Sequence, residues 1–157
     1  NPLLKLRKHR LAEHRSLKLI QEIIQQELPF IDRVSLILDK YITLFTENPD
    51  MPKFICGEIQ RDVNHLLDAA KEMQFEETFL IIKERLLMEM EAGRLKKVPI
   101  HTIFITFYGL LTFPLITKNL ITSIFLKDTT DFSVFMLEWK QYILFHLMNL
   151  LGIEKEN

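Results

Sequence analysis

The sequence predicts an all-α fold, a bundle of about six to eight helices. Apolar residues recur at three- and four-residue steps through most of the chain, the period of a helix with one buried face. Pro and Gly stand between these stretches and rarely within them, and no segment alternates with a period of two. Only 4 glycines occur in 157 residues, too few for the many tight turns of a stranded fold. At this length one domain buries roughly 70% of its unfolded surface, enough for a single core without staples.

The first helix is expected from Leu3 to about Glu27, with Leu11, Leu17, Leu19, Ile20, Ile23 and Ile24 as its apolar recurrence. Pro29 opens the second, because its missing N–H costs nothing in a first turn. Ile31, Val34, Leu38, Tyr41, Ile42 and Phe45 form a stripe on a helix ending near Glu47. Asn48-Pro49-Asp50 is a turn, and Met51 to about Met73 reads as helix again, with a break expected near Gly57. Glu76 to Ala92 is amphipathic. Phe79, Ile82, Leu86 and Met90 share a face, while Glu77, Glu84 and Arg85 lie away from it. Gly93 stops it.

Pro99 opens a helix to about Thr117, with Pro114 near its end, and Lys118 to Lys127 reads as a further short helix. Asp128 to Asp131 offers N-cap side chains, and the last helix runs from there to Leu151, closed by Gly152.

The last two long helices lack a broad polar face. In the final one, Phe132, Phe135, Met136, Trp139, Ile143, Leu147 and Leu150 fill one arc, and Leu137, Leu144, Met148 and Leu151 a second. No Asp, Glu, Lys or Arg occurs from Val98 through Thr117. That length could span a bilayer, but its threonines, Gly109 and two prolines, together with the charged amphipathic helices before it, favour a buried helix and no membrane. Thr102, Thr106, Gly109 and Thr117 lie in one sector with Phe113, and small residues let another helix approach closely. Two consecutive helices with spare apolar faces predict a four-helix interface between two copies of the chain.

Other chemistry is sparse. Net charge is −1, unlike a domain that grips nucleic acid over a broad surface. Cys56 is single and has no evident His partner. Asp62 and His65 have the spacing of one half of a di-iron motif, but no second half is found, so no metal is expected. No Gly-rich phosphate loop exists. No catalytic constellation is found, so no enzyme and no cofactor are expected. Lys5, Arg7, Lys8, His9 and Arg10 form a basic cluster that reads as a solvated first turn or as a segment close to nucleic acid. Phe54, Phe75, Phe79, Phe104, Phe107 and Tyr108, from three helices, serve as core or line an apolar ligand cavity, with Tyr108 or His101 for orientation.

Several phrases resemble the regulatory half of the TetR family of bacterial transcription regulators. The likeness begins at LFTENPDMPKFICGEI (Leu44 to Ile59), where a helix ends at Asn-Pro and an aromatic helix follows. It continues in MEAGRLKKVPIHTIFITFYGLLTFPL (Met90 to Leu115), a helix stopped at Gly, a basic link and a long uncharged helix. It closes with the apolar last helix through LLGI, so it covers most of the chain from about Leu11. The resemblance implies a tetracycline-repressor-like C-terminal domain over 1–157, one effector-binding and dimerisation unit of a cytoplasmic repressor. The N-terminal helix-turn-helix head is expected outside this chain, and operator DNA is contacted through it. A small apolar effector is expected within the bundle, against Phe54, Phe79, Leu86, Phe104, Phe107, Tyr108 and Leu111. The homodimer interface is expected at Thr102, Thr106, Gly109 and Phe113, with Leu137, Gln141, Leu144 and Met148. The alternatives are a helical interaction domain for a different protein and a membrane-associated helical protein.

Overall fold

In a computed structural model, which describes residues 2–61, 64, 68, 71 and 75–154, the chain is a helical bundle. The helices are α1 (Pro2–Ile24), α2 (Phe30–Glu47), α3 (Met51–Arg61), α4 (Phe75–Glu91), α5 (Ile100–Ile116), α6 (Lys118–Leu120) and α7 (Phe132–Leu151). A π-helical turn, Ile121–Phe125, follows α6 directly. The described residues contain no strand, and the expected all-α bundle is the fold.

Three boundaries differ from the sequence reading. Helix α1 ends at Ile24, before Gln25-Gln26-Glu27, which bury nothing to hold another turn. Gly57 does not break α3; it lies exposed within the helix, where glycine costs only about 1 kcal/mol against alanine. The expected run on toward Met73 falls largely outside the described residues, as do Asp62 and His65. The segment expected as a short helix at Lys118–Lys127 is one turn of α6 and the π turn, reversed by Lys127 and Asp128 at φ 50° and 56°.

Helix α2 is the centre. It packs on α1 along one side and on α7 along the other, while α4 packs on α1 and α5 on α7. Val34, Ile37, Leu38, Tyr41, Leu44 and Phe45 follow the helical period and are all buried. They meet Ile20, Ile23 and Ile24 of α1 and Ile143 and Leu147 of α7. A second cluster joins Leu86 and Met90 of α4, Leu95 of the following link, Ile103 of α5 and Leu151 of α7. Leu151, expected in the outward arc of the last helix, is therefore a core residue. Lys140, from a narrow polar slot of α7, pairs with Asp39 of α2 at 2.6 Å and ties those helices together.

The ends of α7 follow local chemistry. Asp131 caps it by accepting from the Ser133 N–H at 2.9 Å, a bond that lowers its pKa. Gly152, at φ 66°, ends it, and the Ile153 N–H returns to the Met148 carbonyl at 2.9 Å. The Leu151 carbonyl accepts from the Lys96 N–H at 2.8 Å, which pins the α4–α5 link to the end of α7.

Pro114 sits inside α5 and lacks the N–H that would bond the Leu110 carbonyl. The indole N–H of Trp139 on α7 takes that acceptor at 2.9 Å. The lost helical bond thus becomes a bond between helices.

Candidate functional site

Helices α1, α2, α4, α5 and the end of α7 surround an apolar cavity of about 60 Å³. Ile20 and Ile24 face it from α1, Val34 and Ile37 from α2, Ile82 and Leu86 from α4, and Leu147 and Leu151 from α7. Phe104, Phe107 and Tyr108 present three rings from α5, and Phe30 and Tyr41 two from α2. The polar feature of this wall is a pair of phenols: the Tyr41 and Tyr108 hydroxyls are 2.7 Å apart, and either can be the donor. A buried phenol needs such a partner, so the pair fixes both rings and gives a ligand a hydroxyl to approach. The space is well below the roughly 300–1,000 Å³ of sites for drug-sized molecules. Anything beyond a few heavy atoms enters only by displacing side chains.

Of the residues expected around an effector, Leu86, Phe104, Phe107 and Tyr108 line this cavity. Phe79 stands behind it, its ring centroid 5.0 Å from that of Phe104. Leu111 is wholly buried in the main core, one turn beyond the Tyr108 wall. Phe54 is brought to a different place: it meets His9 of α1 edge-on at 5.3 Å. His101 is exposed at the start of α5, so orientation falls to the tyrosines. Tyr41 was legible only as a stripe residue. A phenol within an otherwise apolar stripe is itself the signal, since its hydroxyl must find a partner inside.

Beside the cavity lies an ionic cluster that sequence spacing did not reveal. Arg33 of α2 is 1% exposed, and its guanidinium sits 5.7 Å from the centre of the Phe30 ring. It donates to the Ile24 carbonyl at the end of α1, at 3.0 Å, and to Glu89 of α4 at 3.4 Å. Glu89 is held more firmly by Arg94, through Nε at 2.6 Å and Nη2 at 3.2 Å. Arg85, expected away from the core, turns toward Glu89 with Nε at 3.6 Å. The Arg94 bond, helped by the other arginine charges, lowers the Glu89 pKa against the opposing effect of burial. Burial and the Arg85 charge lower that of Arg33. The Nε atoms of Arg33 and Arg85 are buried with no hydrogen-bond partner.

The expected interface residues divide. Gly109, Phe113, Leu137 and Gln141 are exposed, whereas Thr102, Thr106, Leu144 and Met148 are half-buried. Leu144 packs partly on the core. Two exposed residues extend the same arcs and were missed: Ile105, at 70% exposure beside Gly109 on α5, and Phe145, at 56%, one turn beyond Gln141 on α7. Leu120, Ile124 and Phe125 are also exposed where the chain leaves α5.

Elsewhere the basic cluster of α1 is partly engaged. Lys5 pairs with exposed Asp50 at 3.1 Å, and His9 is buried. Burial and the neighbouring Lys5 lower the His9 pKa. Cys56 is half-buried, and burial raises its thiol pKa, the reverse of nucleophile activation. Among the described residues no cluster of three metal-ligating side chains occurs. No single helix is long and apolar enough to cross a membrane; α5 and the Lys118–Phe125 stretch reach that length only as a pair bent by 67°. Compared with models of known families, with curated proteins and with solved structures, the chain matches none.

Proposed function

We propose that this chain is the effector-binding and dimerisation domain of a TetR-like transcriptional regulator, acting on operator DNA through a helix-turn-helix head outside these residues. The observation that carries the reading is the cavity. An apolar space walled by five rings, with a hydrogen-bonded tyrosine pair in its wall, is how an apolar ligand is enclosed and oriented. The exposed apolar residues of α5 and α7 support the second half of the proposal. Ile105, Phe113, Leu137 and Phe145 leave a face that water covers poorly. A second copy of the same two helices covers it with a four-helix seam. A ligand then acts by binding one arrangement of the two subunits better than the other. Light scattering over a dilution series tests this. The expected result is twice the chain mass persisting at low concentration. A monomer throughout would overturn the reading and favour a helical domain that docks on a different protein.

A further inference from the structure

The arginine cluster is unbalanced in a way the fold does not require. Three guanidiniums, of Arg33, Arg85 and Arg94, converge on the one carboxylate of Glu89. Arg94 claims that carboxylate with two hydrogen bonds, the shorter at 2.6 Å. Arg33 and Arg85 reach only its Oε1, which Arg94 already uses, at 3.4 and 3.6 Å. The charges that act on Arg33 are those of Arg85, Glu89 and Arg94. The end of α1, whose Ile24 carbonyl accepts from Arg33, and the end of α4 each offset about half an elementary charge. Roughly one positive charge is left over, and with it two buried N–H donors, Arg33 Nε and Arg85 Nε.

The cluster borders the cavity. Phe30, whose ring carries the Arg33 guanidinium, lines it, as do Ile24, Val34, Ile82 and Leu86, the immediate neighbours of these groups in space or in sequence. The Arg85 side chain is 30% exposed, so this end of the cavity communicates with solvent. An apolar space closed at one end by a surplus positive charge fits a molecule with an apolar body and a single negative charge.

We propose that the effector is an amphipathic monocarboxylate, its short chain in the cavity and its carboxylate on Arg33 and Arg85. This rests on the effector-binding reading above. The carboxylate accepts from the two unpartnered Nε atoms and neutralises the cluster, while Glu89 stays with Arg94. Because Arg33 is rooted in α2 and Arg85 in α4, the bound anion links those helices.

The test is calorimetric titration and thermal melting of the full chain at constant ionic strength, with hexanoate, 1-hexanol and inorganic phosphate as probes. Hexanoate is expected to bind about tenfold or more tighter than 1-hexanol, the gain of charge-assisted bonds to a desolvated guanidinium. Phosphate is expected to give no saturable shift. Arg85→Gln, at a partly exposed position, should abolish the hexanoate advantage and leave hexanol affinity unchanged. Arg94→Gln should reduce the advantage as well, because it releases Glu89 to the other arginines. Equal affinity for hexanol and hexanoate would overturn the carboxylate site and leave the apolar cavity standing, as would an advantage that survives both substitutions. Saturable phosphate binding lost in Arg85→Gln would replace it with a free-anion site. Binding of neither six-carbon probe would overturn the effector reading itself.

Discussion

Pro114 and Trp139 show one residue repairing what another removes. A proline inside a helix normally leaves a carbonyl without its donor, and Leu110 would be that orphan. The indole of Trp139 takes it. Trp139→Phe should cost about 1–3 kcal/mol in denaturant unfolding, part of it the unsatisfied carbonyl. In a Pro114→Ala background, which restores the helical donor, the same substitution should cost less. An equal cost in both backgrounds would mean the indole acts by packing alone. His9 makes a prediction of a different kind. Its folded pKa lies below the ordinary value of 6.5, so the unfolded chain binds the proton more readily. Its contribution is therefore fully present above that value and is lost as pH falls through the range below it. Melting temperature should drop on acidification from neutrality, and His9→Leu should flatten that part of the profile. Glu89 acts lower on the scale: its depressed pKa makes the Arg94 pairing a source of stability that disappears only in stronger acid.

Among the elements, α4 shows most plainly what spacing can and cannot tell. Its inward face was legible, because Leu86 and Met90 recur at helical steps and both are buried. Arg85 looked like a solvated residue, since a charged side chain off the apolar stripe normally faces water. Its turn toward Glu89 depends on Arg33, which lies far away in sequence and reaches the same carboxylate only once α2 and α4 have packed. Helix ends were legible for the same local reason at Gly93 and Gly152, where φ is positive and glycine alone is unstrained. The extra residue of the π turn after α6 was not, because tertiary packing sets it. The inward positions of α5 were read as a wall and four of the seven expected residues line it, but Phe54 could not be placed without knowing how α3 sits. Leu86→Ala should cost about 2–5 kcal/mol and enlarge the cavity. Benzene, which needs a dry space of roughly 150 Å³, should then raise the melting temperature of the variant more than that of the parent. No difference between the two would mean that α4 collapses into the space.

At the scale of the whole molecule, the distribution of apolar surface sets the behaviour in solution. Leu137 at 62% exposure and Phe113 at 56% are large residues with nothing from their own chain over them. A double substitution of Phe113→Glu and Leu137→Glu should give a folded monomer, read as half the parent mass by light scattering with unchanged helical circular dichroism. Leu144→Glu is a poorer probe, since Leu144 also packs on the core and its loss confounds dissociation with unfolding. The solitary tryptophan adds a practical consequence. Because Trp139 bridges α5 and α7 and has no sibling elsewhere, the emission of this protein is the optical record of one joint. A red shift or altered quenching reports water reaching that seam while the remainder of the bundle stays dark, so slippage between the two helices can be timed without attaching a dye.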